Sequence, residues 1–119
     1  NGIIIAAPKD IFGTILSIKT VIKNIIDIVT VNKLRTTVCV SLTQMQQLLS
    51  TTLKEQAGIF VRIGKKHIVN HTYLFQVDCA KQKLVLSDGF NFAFQINIPK
   101  ESLKKFKELY IATMASNVR

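Results

Sequence analysis

Between Thr14 and Val31, twelve of eighteen residues are Ile, Val or Thr, and this run restricts the fold more than any other feature. β-Branched side chains lose rotamer freedom in a helix and suit a pleated surface. A helical face can be drawn through Ile15, Ile18, Ile22, Ile25 and Val29. Strict alternation works equally well, with Leu16, Ile18, Thr20 and Ile22 opposing Ser17, Lys19, Val21 and Lys23. The branching decides for two strands, roughly 14–23 and 25–32, with a break near Lys23-Asn24. The apolar stretch from Ile11 to Val31 is interrupted by Lys19, Lys23 and Asp27, so it reads as core and not as a membrane span.

Further along, 34–41 reads as a strand, after which the period changes. Thr43 with Gln46 forms a capping-box pattern, and Met45, Leu48, Leu49, Thr52 and Leu53 make a helical stripe ending at Gly58, which predicts a helix over 43–56. The second half follows a similar plan. Strands are expected at 59–63, 72–79 and 83–86. A hairpin signal at Ser87-Asp88-Gly89 leads to a strand in which Phe90, Phe92, Phe94, Ile96 and Ile98 point one way. Pro99 opens a helix over 99–114, buried through Leu103, Phe106, Leu109, Tyr110 and Met114. If Gly2–Ala6 is also a strand, the order is ββββα–ββββα. The fold class expected is therefore α+β. The chain reads as a single domain, 1–119, of two repeats (1–58 and 59–119) that form curved antiparallel sheets with helices on one face.

Sixteen Lys and Arg against seven Asp and Glu give a net charge of +9, which biases partners toward polyanions. Cys39 and Cys79 have neither disulfide-framework nor zinc spacing, which suits a reducing intracellular compartment. Asn70-His71-Thr72 is a formal glycosylation triplet, relevant only in a secreted chain. The start at Asn1-Gly2 shows no signal peptide and suggests a processed or excised segment. The acids are scattered, and His67 and His71 lie in turn and strand, where i,i+4 spacing does not converge on a metal. No catalytic constellation, cofactor site or metal site is expected.

The element order resembles the fold shared by the Whirly, Pur-alpha and positive-cofactor-four families. The passage Val40-Ser41-Leu42-Thr43-Gln44-Met45-Gln46-Gln47-Leu48 resembles the strand-to-helix entry of the last of these. The resemblance implies paired curved sheets that bind single-stranded DNA or RNA.

On that reading, sheet faces turned from the helices would carry the contacts: Lys19, Lys23, Lys33, Arg35, Phe60, Arg62, Lys65, Lys66, Asn91 and Gln95. Asn97 shares the outward set of the last strand. Bases neutralise phosphates, rings stack nucleobases and amides read their edges. Each residue has an alternative: Phe60 fills a core, the amides are ordinary strand alternation, and Lys100, Lys104, Lys105 and Lys107 form a solvated helix face. The alternative function is a protein-interaction or structural subunit that assembles through sheet edges, as a homo-oligomer or with a partner protein.

Overall fold

The computed structural model describes residues 12–117, with side chains as far as Tyr110. The strand expected at Gly2–Ala6 and the side chain of Met114 lie outside the described residues. Within them run β1 (Ile15–Ile22), β2 (Ile25–Thr30), β3 (Arg35–Val38), α1 (Leu42–Leu53), a 3-10 segment (Lys54–Ile59), β4 (Phe60–Ile63), β5 (His67–Asn70), a short 3-10 turn (His71–Tyr73), β6 (Leu74–Asp78), β7 (Lys83–Ser87), β8 (Ala93–Asn97) and α2 (Lys100–Asn117). The strands form two open antiparallel sheets, ordered β3-β2-β1-β5-β4 and β6-β7-β8. The class is α+β, with the β-branched run folded as two strands.

The expected pair of ββββα repeats is not what the strand pairing shows. The β4–β5 hairpin joins the first sheet, where β5 lies beside β1. Strand β5 has no counterpart in the sequence reading. All four of its residues are buried, so it offers no alternation to detect. By compactness the chain divides into one unit ending at Val61 and completed by Lys66–His71, and a second of Arg62–Lys65 with the residues from Thr72 on.

In the first unit, residues paired directly across antiparallel strands share a face. Ile18 opposes Ile28 on β2 and Ile68 on β5, and Ile26 opposes Val38 on β3. These form the face under α1, where Ile15, Ile18, Ile26 and Ile68 cluster with Leu42, Met45, Leu49 and Leu53. Simple alternation would put Ile15 on the other face. A bulge at Leu16, between the pairs Ile15–Thr30 and Ser17–Val29, returns it to the core, since one extra residue reverses the facing of what precedes it. The fully buried Asn70 donates from Nδ2 to the Ile15 carbonyl at 2.9 Å. That burial removes Asn70 from consideration as a glycosylation acceptor in the folded chain.

The N-cap of helix α1 lies two residues earlier than the sequence pattern suggests. Ser41, not Thr43, is the N-cap: its Oγ accepts the Gln44 N–H at 3.0 Å, and Gln44 Oε1 accepts the Ser41 N–H at 2.9 Å. With this start, Leu42, Met45, Leu49 and Leu53 face inward. The helix stops at Lys54, whose φ is 52°, ahead of Gly58.

In the second unit, Leu84–Ile96 and Leu86–Phe94 are cross-strand pairs on one face of the three-stranded sheet. Leu84, Leu86 and Ile96 are buried, as are Ile98, Leu103 and Phe106. Leu109, expected inside, is exposed. Gly64 has a φ of +66°, and a Cβ there would lie 2.7 Å from Ser102 Oγ in the first turn of α2. The turn between β4 and β5 therefore uses glycine for both conformation and clearance. Among the described residues, no helix is long and apolar enough to cross a membrane.

The α1 orientation yields a paired expectation. Leu49→Ala should lower stability by about 2–5 kcal/mol, the usual range for a buried leucine. Leu48→Ala, on a side chain 49% exposed, should change it by less than about 0.5 kcal/mol. Chemical denaturation of the two variants measures both, and equal losses would contradict the orientation.

Candidate nucleic-acid interface

The face of the first sheet turned from α1 is read from two cross-strand rows. One runs His67, Lys19, Asp27, Thr37 across β5, β1, β2 and β3, and the next runs Val69, Ser17, Val29, Arg35. The sequence reading expects this face to be free. It is not: Ser17, Val29, His67 and Val69 are all buried. Lys19, Arg35 and Thr37 are exposed, and Asp27 is half-buried. Thr37 Oγ1 donates to Asp27 Oδ1 at 2.8 Å.

Lys19 and Lys66 meet around His67. Lys19 is the cross-strand partner of His67, and the Lys66 carbonyl accepts the Thr20 N–H at 2.9 Å, which sets the turn against β1. Burial, then the positive charges of Lys19 and Lys66, hold the His67 imidazole below its ordinary pKa. At neutral pH the ring is uncharged, so the local charge comes from the two lysines.

The other basic residues do not all converge there. Lys23 occupies the two-residue turn after β1, beside Asn24 with φ 64°. A second bulge, at Val21 between the pairs Thr20–Ile26 and Ile22–Ile25, breaks the alternation that would align Lys23 with Lys19. Lys33 lies in the turn after β2 with φ 67°, its N–H donated to the Thr30 carbonyl at 3.0 Å. Lys23 and Lys33 therefore sit at opposite ends of β2, and Arg35 begins the edge strand on the Lys33 side. Phe60 is corrected outright. Its half-buried ring packs against the α1 core cluster and is not an outward platform.

In the second unit, Arg62 donates from its guanidinium to the Lys65 carbonyl at 3.0 Å. The half-buried arginine thus braces its own turn, while Lys65 is exposed. The sheet face opposite Leu84 and Leu86 carries the pairs Lys83–Asn97, Val85–Gln95 and Ser87–Ala93, with Gln76 opposite Val85 and Asp78 opposite Lys83. Gln76, Ala93, Gln95 and Asn97 are exposed. Lys83 Nζ donates to Asn97 Oδ1 at 3.2 Å, leaving the Asn97 NH₂ to donate elsewhere.

Two aromatic residues, Phe75 and Phe90, are on the surface. Strand β6 bulges at Phe75, between the pairs Leu74–Leu86 and Gln76–Val85, and Phe75 and Gln76 are both left exposed. Strand β8 starts only at Ala93, so Phe90 and Asn91 belong to the loop before it. Asn91 donates its backbone and side-chain N–H groups to the Asp88 carboxylate at 2.8 and 3.0 Å, a structural role. The signal for Phe90 was in the sequence: Asp88-Gly89 opens a loop, and the residues just after it need not yet be strand.

Among the described residues, no three His, Cys, Asp or Glu side chains gather in a way that could hold a metal ion. His71 Nε2 lies 3.0 Å from the Gly58 carbonyl, and Cys39 and Cys79 are free thiols. No protein-family model matches the chain, and no curated protein matches it.

His67 gives stability a pH dependence. Its folded pKa lies below the unfolded value of about 6.5, so its contribution is complete above that pH. As pH falls from there through the folded pKa, the unfolded chain binds a proton that the folded chain resists, and stability drops. Thermal melting between neutral and acidic pH should show this loss, and His67→Gln should flatten it.

Proposed function

We propose that this chain is a non-catalytic single-stranded nucleic-acid-binding protein, acting on DNA or RNA through exposed sheet faces. The observation that carries the reading is the solvent face of the three-stranded sheet. Gln76, Gln95 and Asn97 present amides there, Lys83 lies in the same rows, and Phe75 stands exposed at a bulge. Amides hydrogen-bond to base edges, a ring stacks on base faces, and ammonium groups neutralise phosphates. A single strand offers all three, whereas a duplex covers its base faces. In the other unit Lys19 and Lys66 supply positive charge beside a neutral His67, and the net charge of +9 favours a polyanion throughout.

A protein-interaction role is favoured by one feature, the edge strand β3, where Arg35, Thr36 and Thr37 are exposed. Such an edge can pair with another copy or a partner chain.

Binding of a mixed-sequence single-stranded oligonucleotide at several salt concentrations separates the two. About four to six phosphate contacts give a log–log slope of about −3 to −4 for a single strand. Lys19→Ala and Lys66→Ala should each reduce that slope by about 0.7. Absence of binding at low salt would overturn the proposal and leave the sheet-edge reading.

A further inference from the structure

The most exposed large apolar side chain among the described residues is Phe90, 91% exposed, and the loop that holds it is built. Asp88 Oδ1 accepts the backbone N–H of Phe90 at 2.9 Å and of Asn91 at 2.8 Å, and Oδ2 accepts Asn91 Nδ2 at 3.0 Å. Ser87 Oγ accepts the Gly89 N–H at 2.9 Å and donates to the Phe92 carbonyl at 2.6 Å. Gly89, with φ +88°, makes the turn. At the base of the loop the Phe92 and Tyr73 rings lie 5.7 Å apart at 59°. The N–H groups of Phe90 and Asn91 hold the Asp88 carboxyl below its ordinary pKa, so the network persists at neutral pH. A loop fixed in this way has already lost the conformational freedom that binding would otherwise remove.

The ring's surroundings identify what it meets. Leu74 on β6 pairs with Leu86, next to the start of the loop, so Phe75, 64% exposed, stands at the same end of the sheet. The exposed side chains of the open face below the loop include Ala93, Gln76 and Gln95, with Val85 half-buried between the two glutamines. Protein-binding anchors sit within a water-excluding apolar patch. An isolated ring among amides instead matches a nucleobase, whose flat face stacks and whose edge carries donors and acceptors.

We infer that the loop Ser87–Phe92 is a preset base-stacking element, in which Phe90 takes an unpaired nucleobase at the end of the sheet marked by Phe75. This rests on the single-strand-binding reading and adds a named residue and a requirement for bases.

The test uses the full chain, a mixed-sequence single-stranded oligonucleotide and an abasic strand of equal length. Phe90→Ala should weaken binding to the base-bearing strand by about 5- to 150-fold, the range for one lost stacking contact. Its affinity for the abasic strand and its melting temperature should be unchanged. Because the chain contains no Trp, Phe90→Trp provides a single reporter whose fluorescence the oligonucleotide should quench and the abasic strand should not. Wild-type binding with undiminished affinity in Phe90→Ala, or without quenching in Phe90→Trp, would overturn this inference and leave single-strand binding standing. Failure of the wild-type chain to bind either strand would overturn both.

Discussion

Ile18 is the residue on which the first unit depends. It sits on the central strand of a five-stranded sheet, is fully buried, and pairs with Ile28 on one side and Ile68 on the other. Three isoleucines in one row under α1 set the register of three strands together. A one-residue slip of any of them would move its apolar set to the opposite face. The same pairing places Lys19 beside His67 one residue later, so the basic cluster inherits its geometry from the core. Burial of hydrocarbon thus positions charge without any direct bond between the charged groups.

Bulges modify that register where the chain needs something alternation cannot supply. The bulge at Leu16 brings Ile15 into the core. The one at Val21 detaches the hairpin tip from the alternation, and the one at Phe75 leaves a large ring in solvent. Each inserts one residue and reverses facing on one side of itself. The first strengthens the core, whereas the third forgoes burial of a phenyl group, worth about 1.5–3 kcal/mol.

How much was legible in the sequence follows from these devices. Branched residues identified β1 and β2 because their stiff χ1 disfavours a helix locally, and the half-buried sheet then suits them. The α1 stripe was legible too, although two capping patterns overlap in Ser41-Leu42-Thr43-Gln44-Met45-Gln46, and only packing of Leu42 selects the first. Strand β5 was not legible, since buried strands lack alternation. Phe60 was misplaced because β4 was assigned a face by alternation alone, with no knowledge that it edges the first sheet. Gln95, exposed on the open sheet face, was correctly turned outward, since alternation from Ala93 to Asn97 is undisturbed. Phe90 was misplaced by extending that same alternation backward into a loop.

An acid in the loop that presents Phe90 looks at first unsuited to a polyanion. Coulomb repulsion between Asp88 and a phosphate depends on where the carboxylate's charge is directed and on screening by water and salt. Here the carboxylate faces three N–H donors of its own loop, whose positive ends oppose its field locally. The acid's role is conformational: it converts a Gly-containing turn into a fixed mount for a ring. Stacking needs such a mount more than it needs charge, because a ring's contact with a base falls off within a fraction of an ångström of van der Waals separation. Phosphate contacts tolerate looser geometry, and the exposed lysines at Lys19 and Lys66 are flexible point charges that suit that task. On the proposed reading, rings would meet bases from a fixed mount, whereas cations would meet phosphates without one.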